Sequence, residues 1–272
     1  MTNTILITGA SSGIGKETAK LFQEKGWNVI ATMRSPEKET ELNQLDRVSV
    51  IKLDVTNSLS IESAVDNGIK RFGQIDVLLN NAGYGAFGPL EAFSMDKVRC
   101  QFDTNVIGLL ETTKAVLPYM REQKSGVIVN ISSISGRVTF PLVTLYHGAK
   151  FAVEGLSEAL HYELEPLGIK VKIIEPGAIA TDFGGRSFDF NNDESLIEYQ
   201  YMVNKLLTEF EEVMNQASPA SVVANVIWNA VVDNSDALRF AAGDDAKELL
   251  ANRKKLSDEL FIDGIKRQFG LQ

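Results

Sequence analysis

One cysteine, Cys100, and two histidines, His147 and His161, are all that 272 residues offer of the usual soft ligands. A single thiol cannot close an intramolecular disulfide, and these three residues have no metal-ligand spacing, so neither a disulfide framework nor a metal site is expected. Long apolar runs are also missing: none approaches the roughly 18 to 20 residues that span a bilayer. The first seven residues are polar and then strand-like, without the basic and long apolar regions of a signal peptide. Positive charge is in deficit, with 27 basic against 36 acidic side chains and a formal charge of -9, which repels phosphate backbones and anionic lipid. These absences predict a soluble protein of the reducing cytoplasm that binds neither nucleic acid nor membrane.

What is present is an ordinary globular composition, 44% apolar and 23% charged, with no internal repeat, low-complexity tract or linker. The length suits one large domain or two small ones, and a single domain over residues 1–272 is favoured. Strand-like runs at residues 4–8, 28–32, 48–53, 77–80, 126–132 and 170–175 alternate with helical patterns at 15–25, 58–72, 96–121 and 147–167. That alternation is the mark of βαβ units, so the expected fold class is α/β, a doubly wound parallel sheet of the Rossmann type. Pro118 is expected to bend or end the helix over 96–121, and Pro166 with Gly168 to close that over 147–167. Between residues 181 and 192 the pattern dissolves into Asp, Phe, Gly and Asn, then turns helical over 194–214. This reads as an inserted loop and helix, a substrate lid over about 183–214, placed where the ligand crevice of such a sheet lies. A helix over 220–232, a short strand near 238–241 and a final charged helix from Asp245 complete the chain.

The segment Thr8-Gly9-Ala10-Ser11-Ser12-Gly13-Ile14-Gly15 joins the first strand to the first helix. Its glycines permit a tight turn and bring backbone N–H groups at the helix N-terminus close to a pyrophosphate. An NAD site in this fold usually closes the second strand with a carboxylate for the ribose 2′-hydroxyl, but here Met33 and Arg34 follow Ala31-Thr32. Arg34 offers charge-assisted bonds to a 2′-phosphate, with Ser11 as a second donor; the alternative is a solvated surface arginine. Tyr146 and Lys150 stand four apart at the start of a helix and share one face. Alone that pair would be surface decoration, but Ser133 at a strand end, Asn105 in an earlier helix and the glycine loop stand in the same sheet.

On these residues the chain resembles the short-chain dehydrogenase/reductase family in its single-domain form, over nearly its whole length. Thr8 to Gly15 matches the family's T-G-x-x-x-G-x-G, Asp54-Val55 its adenine-side contact, and Asn80-Asn81-Ala82-Gly83 its N-N-A-G strand end. Asn105 matches the helix asparagine, and Tyr146-His147-Gly148-Ala149-Lys150 matches Y-x-x-x-K with Ser133 thirteen residues before it. That interval selects Ser133 over its neighbour Ser132. Pro176-Gly177, Ile179 and Thr181 match the segment that holds the nicotinamide carboxamide. The resemblance implies an oxidoreductase that moves a hydride between NADP(H), preferred over NAD(H), and a carbonyl or secondary alcohol. It also implies a homo-dimer or homo-tetramer. The second-strand end and the glycine loop resemble members acting on hydroxysteroids and retinoids, a lean toward a lipophilic substrate. A cofactor-binding sensor without catalysis is the rival reading, opposed by the intact Asn105, Ser133, Tyr146 and Lys150 set.

A free tyrosine titrates near 10, so lowering it toward pH 7 to 8 requires about 3 to 4 kcal/mol of differential stabilisation. Lys150 and the cation of oxidised nicotinamide are expected to supply it. In reduction Tyr146 donates a proton to the carbonyl oxygen and Ser133 a hydrogen bond. By resemblance Lys150 also binds the nicotinamide ribose, and Asn105 positions a water that links Lys150 to solvent. His147 and His161 are expected to be packed or surface residues, and Cys100 inert core. Phe183, Phe188, Phe190, Tyr199, Tyr201 and Met202 either line an apolar substrate pocket or pack the lid down.

Overall fold

The computed structural model describes residues 2–181, 187–233 and 235–271. The first half runs β1 (Thr4–Ile7), α1 (Gly13–Glu24), β2 (Asn28–Met33), β3 (Val48–Lys52), α2 (Ser58–Phe72), β4 (Val77–Asn80), β5 (Gly85–Phe87) and α3 (Met95–Phe102). A π-helical segment, Asp103–Ile107, leads into α4 (Gly108–Gln123), followed by β6 (Gly126–Ile131), α5 (Thr144–Leu164) and β7 (Ile169–Pro176). The remainder is β8 (Ile179–Ala180), β9 (Phe188–Phe190), α6 (Ile197–Asn215), β10 (Ser218–Pro219), α7 (Ala220–Val232), β11 (Arg239–Ala242), α8 (Asp244–Lys255) and α9 (Asp258–Gln268).

Seven of the strands form one parallel sheet in the order β11-β7-β6-β4-β1-β2-β3. β1 and β4 are buried along their whole length, as apolar runs such as T-I-L-I must be when helices cover both faces. One face packs on α1 and α7, where Phe22, Trp27 and Trp228 meet edge to face with ring centroids 5.1 to 6.0 Å apart. The other buries Leu6, Ile30, Leu78 and Ile128 against Val65, Val116, Met120 and Leu164 of α2, α4 and α5. The chain leaves β1 toward β3 on one side and resumes at β4 on the other. The crevice at the carboxyl ends of β1 and β4 is therefore the topological switch point, where such sheets bind ligands.

Several sequence expectations need correction. The helix expected over 96–121 is interrupted by the π segment, whose single extra residue per turn leaves the apolar period almost intact and so invisible to pattern reading. Pro118 does not end α4, which continues to Gln123 with Val116 and Met120 buried on either side of it. Packing outweighs the one backbone donor that proline removes. The final helix is two, and Ser257 caps the second by accepting from the Leu260 N–H at 3.4 Å. β5 and β9 pair in parallel away from the main sheet, an element too short and glycine-containing to be predicted. The lid helix begins at Ile197 rather than 194. Cys100 is exposed on α3, not core. No helix among the described residues is long and apolar enough to cross a membrane.

Candidate active site

A cavity of about 1430 Å³ opens over the carboxyl ends of β1, β2, β4, β6 and β7. Single-ligand pockets hold roughly 300 to 1,000 Å³, so this one has room for two ligands end to end. Its wall includes Gly9, Ser11, Ser12, Gly13, Ile14, Arg34, Asp54, Val55, Asn81, Ala82, Gly83, Ser133, Tyr146, Lys150, Pro176, Gly177, Ile179 and Thr181. Two expected residues stand behind the wall. Gly15 is buried where α1 crosses its own loop, and a Cβ there would lie 2.4 Å from the Gly9 carbonyl oxygen, so no larger residue fits. Asn105, 3% exposed, is the other.

The glycine loop is clasped to the end of β4. Thr8 Oγ1 accepts from the N–H groups of Asn81 and Ala82 at 2.9 and 3.0 Å, and Asn81 Nδ2 donates to the carbonyls of Thr8 and Gly9 at 2.9 and 3.0 Å. Gly9 sits at φ +70°, left-handed, with Ala82 Cα 2.9 Å from where a Cβ would be. This puts the N-terminus of α1 at the cavity floor, and since the first N–H groups of a helix have no intrahelical acceptor, it is a cradle suited to a pyrophosphate.

At the far side of the loop, exposed Arg34 and Lys38 line the cavity beside Ser11 and Ser35. Lys38, on a short 3₁₀ turn after β2, was not singled out in the sequence because its proximity depends on that turn. The buried carboxylate there, Glu39, is already engaged: its Oε1 accepts from the Glu41 and Leu42 N–H groups and from Lys16. Burial works against its ionisation, but these donors hold the carboxyl below its usual range. Asp54 is likewise turned on itself, its Oδ1 accepting from the N–H and hydroxyl of Thr56.

On the opposite wall Tyr146 and Lys150 project from the first turns of α5, each 8% exposed, with Lys150 Nζ 5.6 Å from the tyrosine ring centroid. Lys150 donates to the Ile131 carbonyl at 2.8 Å. Ser133, at the end of β6, accepts from the Ser135 N–H at 3.1 Å and hydrogen-bonds to Tyr146. Its neighbour Ser132 also lines the cavity, with its Oγ buried and without a hydrogen-bond partner among the described residues. Burial pushes the Tyr146 hydroxyl up to about 12, with the Ser133 bond opposing it, and burial pushes Lys150 down to about 8, with the Glu154 carboxylate opposing it. The expectation of a lowered tyrosine is therefore not met by the chain's own groups, because desolvation of a phenolate outweighs a hydroxyl donor. At neutral pH Tyr146 carries its proton.

Asn105, in the π segment, is pinned to the backbone of Tyr84: Nδ2 donates to its carbonyl at 2.8 Å and Oδ1 accepts its N–H at 3.1 Å. Its side chain thus secures the strand end that follows Gly83. His147 is packed: Nε2 accepts the Phe140 N–H at 2.9 Å, which leaves Nδ1 to donate to the Ser135 carbonyl at 3.0 Å. It braces the loop between Ser133 and Tyr146 as a neutral ring, its pKa lowered by burial.

Beside Tyr146 the cavity wall carries an aromatic cluster, with Asp189, Glu209, Glu248, Asn252 and Gln268 also on the lining. Phe87 stacks on Tyr146 at 5.8 Å and meets Phe188 and Phe210 at 4.9 and 5.8 Å. Phe140, Val143, Leu206, Val213, Met214, Leu249 and Phe269 continue the wall. Phe188, Phe190, Tyr199 and Met202 pack in this aromatic cluster, Tyr201 is 63% exposed, and Phe183 lies outside the described residues. Phe87, Phe210 and Phe269 were missed in the sequence; only Phe210, on amphipathic α6, had an apolar spacing that hinted at it, whereas Phe87 ends β5 and Phe269 follows α9.

Comparison with known proteins agrees with this construction. The family model for short chain dehydrogenase matches residues 3–192. The chain is 43% identical to an uncharacterized oxidoreductase of Schizosaccharomyces pombe over 239 residues, 88% of this chain and all of that one. It is 46% identical over 179 residues to 3-ketodihydrosphingosine reductase of Bacteroides thetaiotaomicron, covering 66% of this chain and 65% of the relative. Among solved structures it superposes on ElxO with NADP bound at a TM-score of 0.76 and 29% identity, covering 91% of this chain and 100% of ElxO. The chain belongs to the short-chain dehydrogenase family. It is an oxidoreductase acting on CH-OH or carbonyl groups.

Proposed function

We propose that this chain reduces a lipophilic ketone or aldehyde with NADPH, or runs the reverse oxidation, with Tyr146 as the acid/base. The observation that carries the reading is the continuity of the cavity. It leads from a cationic end at Arg34 and Lys38, past the helix N-terminus, to Tyr146, and ends between aromatic walls. The residues fit a phosphorylated dinucleotide: Arg34, Lys38 and Ser11 would hold the 2′-phosphate, residues 11–15 the pyrophosphate, and Asn81 to Gly83 with Pro176, Gly177, Ile179 and Thr181 the nicotinamide half. Bound NADPH supplies the hydride. Tyr146 holds its proton at the phenolic oxygen and gives it up to the substrate oxygen, Ser133 donates a hydrogen bond to that oxygen, and buried Lys150 favours the phenolate that remains. The cluster around Phe87, Phe210 and Phe269 excludes water and receives an apolar chain. The similarity to a 3-ketodihydrosphingosine reductase, whose name denotes a long-chain ketone as substrate, supports that class.

The test is a series of alkyl ketones of increasing chain length assayed by NADPH absorbance. The specificity constant is expected to rise with chain length until the apolar wall is filled, by roughly 0.8 kcal/mol per buried methylene at most. Activity confined to small polar carbonyls would overturn the substrate class.

We also infer that residues from about 183 to 214, within a single domain spanning the chain, act as a substrate lid. Lys97 of α3 ties β9 down by donating to Asp189 and Asn191 at 2.9 and 2.6 Å, and α6 supplies Leu206 and Phe210 to the wall. Hydrogen exchange over 188–214 is expected to slow when NADPH and substrate analogue are added together; equal exchange with and without them would remove the lid. We also propose a homo-dimer or homo-tetramer, in which the exposed apolar side chains of Ile107 and Phe151 are candidate contacts.

A further inference from the structure

Helix α5 carries one buried charge that the reaction described above leaves unused. Glu154 lies one turn beyond Lys150 and is 5% exposed. Its Oε2 accepts from Arg239 Nε of β11 at 2.8 Å, while its Oε1 has no hydrogen-bond partner among the described residues. Arg239 also binds Glu158, one turn further along α5 and half exposed, and lies 3.9 Å from Glu175 of β7. Arg137, in the turn after Ser133, pairs with Glu175 at 3.3 Å. Two arginines thus face three carboxylates, and His161 of α5 also acts on Glu158. The shortage of positive charge is felt: burial, and then Glu154, hold the Glu175 carboxyl above its usual range, against Arg137 and Arg239.

The packing here is close by design of the sequence. A Cβ at Gly136 would lie 2.6 Å from Ser132 Oγ, 2.8 Å from Glu154 Cγ and 3.0 Å from the Lys150 carbonyl oxygen. Only glycine lets this turn rest on α5 between the two residues. A buried carboxylate oxygen without a donor keeps its field, since no local dipole offsets it and the surrounding dielectric is low. Residues four apart on a helix are neighbours, so Lys150 is the cation on that side. Lys150 itself donates to a carbonyl, which does not neutralise it.

We propose that Glu154 is a positioning residue for hydride transfer: its carboxylate, clamped by Arg239, keeps Lys150 protonated through the working pH range and so keeps Tyr146 a competent acid. The proposal rests on the reading of Tyr146 and Lys150 as the catalytic pair. Loss of the Lys150 proton should end activity on the alkaline side of the pH profile. Removing the Glu154 charge favours neutral Lys150, which moves that limb to lower pH.

The experiment is the pH profile of kcat for NADPH-linked ketone reduction in wild type, Glu154→Gln, Glu154→Asp and Glu158→Gln. The alkaline limb is expected about one pH unit lower in Glu154→Gln, by a shift in Lys150 of that size. In Glu154→Asp, which keeps the charge one methylene further away, the shift should be intermediate. Glu158→Gln touches the same arginine at the surface and should leave the limb in place. A folded Glu154→Gln with an unmoved limb overturns the proposal, as does an equal shift in Glu158→Gln. If circular dichroism shows that Glu154→Gln does not fold, Glu154→Asp decides by the same criterion. Tyr146→Phe separates the two layers: near wild-type turnover there defeats the catalytic pair, whereas a normal loss beside an unmoved limb in Glu154→Gln defeats only the role of Glu154.

Discussion

Tyr146→Phe is expected to lower turnover by about 10² to 10⁴-fold while NADPH still binds, because it deletes one hydroxyl and leaves the ring stacked on Phe87. The magnitude is that of a positioned proton donor. Direction adds a second signature. Burial pushes Tyr146 up to about 12, so at neutral pH it is loaded with the proton that reduction consumes. Oxidation requires the phenolate, so its rate should climb with pH, whereas reduction should be flat until Lys150, pushed down to about 8, begins to lose its charge. Fluorescence titration with NADPH and steady-state rates in both directions check this. Near wild-type turnover on a good ketone would end the acid/base assignment.

Arg34→Ala is expected to cost about 10 to 100-fold in specificity constant for NADPH and to leave NADH nearly unchanged. A hydrogen bond to a charged group contributes about 1.5 to 3 kcal/mol, which sets that range. Arg34 is exposed, so salt should screen the pair, and the preference should shrink as ionic strength rises. Lys38 in the same cavity keeps part of it. The natural companion exchange, Met33→Asp, is less informative than the sequence suggests. Met33 is 3% exposed and packs in the core under the sheet, so an aspartate there would bury a carboxylate and mix stability with specificity. A wild type that uses NADH as well as NADPH would return Arg34 to the solvated surface.

The strands were legible because parallel strands covered on both faces are continuous apolar runs. Six were predicted close to their observed limits, and the short one at Arg239–Ala242 was off by one residue. The site was legible to the extent that it is local: Tyr146 with Lys150 share a helical face, and the glycine loop follows a strand. What escaped depends on three-dimensional closure. The π segment hides in an ordinary helical period, and the β5–β9 pair joins residues about a hundred apart. Met33 and Arg34 are adjacent letters that both line the cavity, but Met33 ends β2 buried in the core whereas Arg34, beyond the strand, is exposed, a difference set by where the strand stops. The rise in Tyr146 comes from how deeply α5 is seated, which no motif states. The charges of Glu154, Glu175 and Arg239 come from three separate elements and met only in the fold.

The strand order has a consequence for synthesis. β1 lies inside the sheet beside the central β4, and its two neighbours, β2 and β4, follow it from the ribosome, so the centre can close early. The edge beyond β7 closes last, because its partner β11 begins only at Arg239. Until that strand emerges, β7 offers an open row of backbone donors and acceptors, with Glu175 facing no Arg239. Nascent chains halted near residue 235 should therefore be the ones most prone to pair edge to edge and to recruit chaperones. Release should come with the few residues that add the last strand.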